Sequence, residues 1–138
     1  MRRHHHIFEH IINRARGLPP AAMAVVYPMS DVALQGAVDA AEAGLIEPVL
    51  IGPAEGMKEL AHSCKLEIGS YRIIDVEDDQ KAAAKGVELC RTGKASALMK
   101  GSLHTDHFMH AVMRDDVGLR THRRISHVFV LDVPNYPR

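Results

Sequence analysis

Apolar and polar positions fall in alternating blocks along the chain. Across 1–16, Ile7, Phe8, Ile11 and Ile12 recur at helical spacing, with Arg14 and Arg16 near the end, which predicts a helix. Gly17-Leu18-Pro19-Pro20 stops it and supplies a rigid connector. Met23-Ala24-Val25-Val26-Tyr27-Pro28 is a short unbroken apolar run between prolines, the pattern of a strand buried on both faces. Ser30 and Asp31 predict a helix start, a hydroxyl cap followed by a carboxylate that suits the helix dipole. Over 32–43 the polar residues Gln35, Asp39 and Glu42 share one stripe, and the rest are Ala, Val, Leu and Gly. Side chains that small let a helix lie close on a sheet, and Gly44 ends it.

The alternation continues. Pro48-Val49-Leu50-Ile51-Gly52-Pro53 predicts a second strand, 55–66 a helix, 71–76 a strand and 79–92 an Ala-rich helix. Another strand is expected at 95–99, a helix at 105–114 and a last buried strand at 127–131. Strand, helix and strand at intervals of roughly 20–30 residues indicate an α/β domain, a mostly parallel sheet flanked by helices with right-handed crossovers. There is no repeat, low-complexity tract or flexible linker, so 1–20 reads as a helix with a Pro-rich connector and 21–138 as one domain. Pro134-Asn135-Tyr136-Pro137-Arg138 follows the last expected strand at once and closes no sheet edge, so the domain reads as incomplete.

Composition narrows the function. The 138 residues are 46% hydrophobic, and 17 basic residues offset 17 acidic ones. That suits one globular domain with a real core and excludes a disordered chain. A zero balance lacks the electrostatic footprint of a nucleic-acid binder, and no window approaches the ~20 apolar residues of a membrane span. The opening Met-Arg-Arg-His-His-His has no apolar stretch of the secretory kind, so a cytoplasmic protein is expected. The run His4-His5-His6 reads as a disordered or cloning-derived start. Cys64 and Cys90 form no CxxC pair and are expected as buried spacers.

In open parallel sheets, ligands gather beyond the carboxyl ends of the strands. Three segments qualify: Tyr27 to Asp31, Gly52 to Glu55, and Lys100-Gly101-Ser102-Leu103-His104-Thr105. The third combines a cation, a flexible turn, two hydroxyls and a helix start, the requirements for holding a phosphate or carboxylate. An ordinary strand–helix turn with a solvated lysine fits the local pattern as well. Neither GxxxxGK[ST] nor GxGxxG nor GxSxG occurs. Arg120, His122, Arg123 and Arg124, ahead of Ser126, form either an anion site or a solvated basic loop. His104, His107 and His110 lack a fourth ligand at a metal spacing and are expected as surface histidines, with Phe108, Met109, Val112 and Met113 facing the core. No metal site is expected.

Together these stretches resemble one family. Ala24 to Pro28, Gly36 to Pro53, Ala97 to Asp106, Gly118 to Thr121 and Arg123 to Pro134 resemble the phosphate acetyltransferase/phosphate butyryltransferase family. The nearest likeness is to the acetyltransferase half of bifunctional enoyl-CoA hydratase/phosphate acetyltransferases, and it covers nearly everything after residue 7. The resemblance implies a fold like the isocitrate/isopropylmalate dehydrogenases, two α/β domains with a cleft between them, of which this chain matches the N-terminal segment. It implies acyl transfer between a coenzyme A thioester and phosphate, with coenzyme A as substrate and no separate cofactor. A homodimer is implied by analogy. The family's catalytic Ser-Arg pair and a downstream Asp lie in a returning C-terminal segment with no counterpart here, so no catalytic residue is assigned. Lys100, Gly101, Ser102 and Thr105 on one loop, with Arg120, Arg124 and Ser126 on the other, are expected to contact phosphate or coenzyme A, and Ser30 and Asp31 are weaker candidates. The chain alone is expected to be inactive. The competing expectations are a non-catalytic coenzyme A/phosphate-binding or assembly fragment and, last, a dehydrogenase of the related fold.

Overall fold

Four strands and five helices alternate as the hydrophobic pattern requires, in a computed structural model that describes residues 6–133. In chain order they are α1 (His6–Arg16), β1 (Ala21–Val26), α2 (Asp31–Glu42), β2 (Ile46–Gly52), α3 (Ala54–Ser63), β3 (Arg72–Asp75), α4 (Asp79–Arg91), β4 (Ala97–Lys100) and α5 (Thr105–Met113). All pairings are parallel, in the order β3-β2-β1-β4. The expected run at His4-His5-His6 and the ending at 134–138 lie outside the residues whose side chains are described.

The continuous apolar runs of β1 and β2 serve two cores at once. Ala24, Val26, Val49 and Ile51 face α4 and α5, packing with Ala82, Ala83, Val87 and Ala111. Val25 and Leu50 face α2 and α3, packing with Leu34, Ala37, Val38, Met57 and Ala61. Gly86 explains how α4 comes so near the sheet, since a Cβ there would lie 2.7 Å from Val26 Cγ2 and 2.9 Å from Leu98 Cδ2.

Helix ends follow local chemistry. Ser30 Oγ accepts from Ala33 N–H at 3.2 Å, the cap expected from Ser30-Asp31. Gly44, with φ +75°, ends α2 in the left-handed region. Gly36 is exposed in the middle of the same helix with nothing within 4 Å of a built Cβ. Gly36→Ala is therefore expected to stabilise the fold by about 0.5–1 kcal/mol. A thermal melt checks this, and a lower midpoint would contradict it.

Three expectations are corrected. Residues 127–131 form no strand: Val128, Phe129, Val130 and Leu131 are 56–78% exposed. A parallel strand needs a neighbour's backbone as well as apolar side chains, and this segment pairs with none of the four strands. The inward face of α5 is Phe108, Ala111 and Val112, while Met113 turns outward, because 118–119 fold back on the helix end and claim the space beside it. Cys64 and Cys90 are half-buried free thiols, and burial raises the Cys90 thiol above its ordinary pKa.

Candidate functional site

Register brings three strand ends level, with Val26 opposite Ile51 on one side and Lys100 on the other. Just beyond, the chain turns sharply at Tyr27, whose φ of +52° is unusual for a non-glycine residue. Tyr27 N–H donates to Ile51 O at 2.7 Å, and Tyr27 O accepts from Met29 N–H at 2.8 Å and Ser102 N–H at 2.7 Å. Gly101 N–H donates to Val26 O at 2.8 Å. The loops after β1 and β4 are thus stitched into one wall. Position 101 must be glycine for this approach, because a Cβ would sit 2.3 Å from Val26 O and 2.4 Å from Tyr27 O.

The stitching corrects the picture of a flexible turn. Gly101 and Ser102 N–H groups are spent on β1, so neither is offered to a ligand. What faces outward is different. Lys100 is exposed and forms no ion pair among the described residues. Thr105 is exposed at the first position of α5. Ser102 Oγ is buried without a hydrogen-bond partner, an arrangement that costs free energy unless a partner binds.

The start of α5 is also open. Asp132 Oδ2 accepts from Ile7 and Phe8 at the start of α1, Ser30 caps α2, Asp75 Oδ1 accepts from Ala54 at α3, and Asp78 caps α4. His104, the cap position of α5, makes no such side-chain bond. Uncompensated N–H groups at the positive end of a helix favour an anion. Ser30 and Asp31 are already engaged, the first on Ala33 N–H and the second on Val32 N–H at 2.9 Å.

A cross-helix pair holds this end of α5 in place. His107 Nδ1 and Asp79 Oδ2 are 3.0 Å apart, joining the first turns of α5 and α4. His104 lies edge-on to the His107 ring, with centroids 5.6 Å apart. His104 and His110 are exposed as expected, but His107 is half-buried and bonded. The hydrogen bond to Asp79 raises the His107 pKa above 6.5, aided by the charges of Asp79 and Asp106, and the same bond holds Asp79 below 3.8. A raised histidine stabilises the fold below its unfolded pKa and loses that contribution as pH rises through its folded pKa. A lowered aspartate contributes above its unfolded pKa and loses it as pH falls through its folded pKa. The wild-type advantage over His107→Gln should therefore be largest between about pH 4 and 6.5 and shrink on both sides. Paired urea titrations across pH check it, and a difference that grows above pH 8 would contradict it.

The second basic loop lies elsewhere. Leu119 N–H donates to Val112 O at 2.7 Å and Gly118 N–H to Arg114 O at 3.0 Å, pinning this stretch to the far end of α5. The nine residues of α5 span about 13 Å, and that length separates Arg120 from the Lys100 loop. Arg120 Nη1 bonds Asp115 Oδ1 at 3.1 Å. A groove of about 450 Å³ is lined by Met113, Arg120 and Arg124, among others, and by no residue of 100–105. Arg124 and Ser126 are exposed. The structure therefore gathers Lys100, Gly101, Ser102 and Thr105 at one end of α5 and sets Arg120, Arg124 and Ser126 at the other. Sequence reasoning missed Tyr27 as the clamp of the first loop and Asp79 as the partner of His107; Tyr27 precedes a proline, which signals extended backbone and gives no hint of positive φ.

Among the described residues, no helix is long and apolar enough to cross a membrane, and no group of three or more His, Cys, Asp or Glu is placed to hold a metal. The architecture is that of an α/β protein whose strand-end loops carry a cation, hydroxyls and an open helix start. By sequence the chain is similar, over nearly its whole length, to phosphate acetyltransferases and phosphate butyryltransferases. It is 46% identical over 129 residues to a phosphate acetyltransferase of Rhizobium meliloti, covering 94% of this chain and 41% of that protein. Identity to the phosphate acetyltransferase of Rickettsia felis is 44% over 131 residues, covering 95% and 38%. To a phosphate butyryltransferase of Clostridium beijerinckii it is 32% over 131 residues, covering 95% and 43%. The chain thus spans about two fifths of the length of these relatives. No family model matches. Its fold resembles a phosphotransacetylase from Streptococcus pyogenes, with a TM-score of 0.61 at 18% identity over 76% of this chain and 41% of that one.

Proposed function

We propose that this chain is part of a phosphate acyltransferase and supplies one wall of its substrate cleft. The observation that carries the reading is the agreement between sequence likeness to phosphate acetyltransferases and an exposed Lys100 beside an uncapped α5 and the unpartnered Ser102 Oγ. The thiolate of coenzyme A attacks the carbonyl carbon of an acyl phosphate; the new C–S bond forms, the C–O bond to phosphate breaks, and phosphate leaves with the electron pair. Negative charge builds on the carbonyl and phosphate oxygens, where Lys100, Ser102, Thr105 and the first amides of α5 stabilise it. Arg120, Arg124 and Ser126 serve the coenzyme A side, and Gly101 holds the loop without contributing a side chain.

Acetyl is the favoured acyl group, since the relatives of highest identity quoted above are phosphate acetyltransferases. Partners in this reading are coenzyme A or acyl-CoA, phosphate or acyl phosphate, and a second copy of the chain in the cytoplasm, with no nucleic acid, membrane, metal or separate cofactor. The 138-residue chain by itself lacks the opposing wall and turns over nothing, because positioning both reactants supplies up to about 7–11 kcal/mol of barrier lowering. Thioester absorbance on mixing acetyl phosphate with coenzyme A tests it. Turnover is expected from the chain extended to the length of its relatives and none from mass-verified 15.2 kDa protein. An extended protein that makes no thioester would overturn the reading.

A further inference from the structure

α4 and α5 meet mainly through apolar side chains. Ala83 and Val87 of α4 share a cluster with Phe108, Ala111 and Val112 of α5. Such contacts hold two helices together but are non-directional, so they leave the rotation of one about its own axis loosely set. The far end of α5 is fastened by the N–H groups of Gly118 and Leu119, which fold back on Arg114 O and Val112 O. At the near end, beside the Lys100 loop, His107 Nδ1 meets Asp79 Oδ2 at 3.0 Å. Among the described residues this is the one hydrogen bond between the two helices. Asp79 opens α4 and His107 is the third residue of α5, so the bond acts on the first turn of each. That turn of α5 is the one whose cap residue His104 supplies no side-chain bond and whose opening residue is the exposed Thr105.

We infer that His107 is a positioning residue of the anion site: its bond to Asp79 aims the start of α5 at the anion beside Lys100 and so sets the affinity for it. This rests on the reading of Lys100, Ser102, Thr105 and the first α5 amides as that site. The Asp79 carboxylate can only accept, so Nδ1 carries the hydrogen and donates whether the ring is neutral or charged. The clamp therefore works in both states. Asp79 and Asp106 are the carboxylates whose charge acts on the ring, and His104 stands edge-on to it. Without the bond, α5 keeps its apolar contacts but samples other rotations. Apparent affinity then falls in proportion to the fraction of time its amides are correctly aimed. The sign of the effect separates this role from a plain charge effect. Asp79 is a negative charge tied to the first turn of α5, so removing that charge alone would strengthen anion binding, whereas removing a clamp weakens it.

The test is acetyl phosphate titrated into the isotope-labelled 138-residue chain and followed by amide shifts. The chains compared are wild type, His107→Ala, Asp79→Ala, the double variant and His107→Asn. Asparagine carries its amide nitrogen on Cγ, as histidine carries Nδ1, so His107→Asn can still donate to Asp79. Ala61→Gly in α3, in the core on the other face of the sheet, is a destabilised control that leaves α4 and α5 untouched. The expected result is saturation in the wild type and an affinity about fivefold or more weaker in each alanine variant. The double variant should lose no more than either single one, and His107→Asn and Ala61→Gly should bind as the wild type does. Asp79→Ala binding as tightly as the wild type or more so, or His107→Asn binding as weakly as His107→Ala, overturns the positioning role while the anion site stands. An equal loss in Ala61→Gly traces the effect to stability and overturns it too. A wild-type chain with no saturable shifts at Lys100 to His107 overturns the site and this inference together.

Discussion

Gly101→Ala is expected to lower stability by about 3–4 kcal/mol, a loss that single substitutions reach only by a severe local mechanism. The mechanism is steric and has no easy relief. The new Cβ would lie 2.3 Å from Val26 O, 2.4 Å from Tyr27 O and 2.6 Å from Tyr27 C, all backbone atoms that cannot swing aside as a side chain can. To admit it, the loops after β1 and β4 must part, which breaks the bonds from Gly101 N–H to Val26 O and from Ser102 N–H to Tyr27 O. Because β4, among the described residues, meets the sheet only through β1, the damage spreads to the edge strand. A drop of about 10 °C in the thermal midpoint is expected for a domain of this size. Gly69→Ala, with nothing within 4 Å of its Cβ, serves as the control. A Gly101→Ala chain that melts like the wild type would mean the two loops are not held as described.

Lys100→Ala should act the opposite way, on chemistry and not on folding. The Lys100 side chain is exposed and has no ion-pair partner among the described residues, so its removal should change stability by no more than about 0.5 kcal/mol. In the chain extended to its relatives' length, kcat/KM for thioester formation should fall by about 10²–10³, the usual consequence of removing one charge-stabilising donor from a transition state. Lys85→Ala is the matched control, since Lys85 pairs with Glu88 at 3.1 Å on α4, away from the strand ends. Equal rates for wild type and Lys100→Ala would remove Lys100 from the site.

The periodic part of the fold was legible residue by residue. Apolar runs at Val25-Val26 and Leu50-Ile51 announced strands buried on both faces, and Ser30 and Gly44 marked the two ends of α2. The 127–131 run misled for a physical reason: apolar side chains signal where a strand is favoured but carry no information on whether a neighbouring backbone is present. For the site, the order Lys-Gly-Ser ahead of a helix was readable, because cation, small residue and hydroxyl are local signals. The use of the Gly101 and Ser102 amides by β1 was not, nor was the His107–Asp79 pair, since both depend on contacts between residues 28 or more positions apart. The distance between the two basic loops was likewise hidden, because it is set by the fold-back of Leu119 on Val112.

The central claim is that this chain's own strand-end loop holds the anionic substrate. Acetyl phosphate titrated into the isotope-labelled 138-residue chain, followed by amide chemical shifts, addresses it most directly. The account predicts saturable shifts centred on Lys100 to His107, reduced or lost in Lys100→Ala at unchanged stability. Shifts that cluster elsewhere, or that are the same in Lys100→Ala, would contradict it.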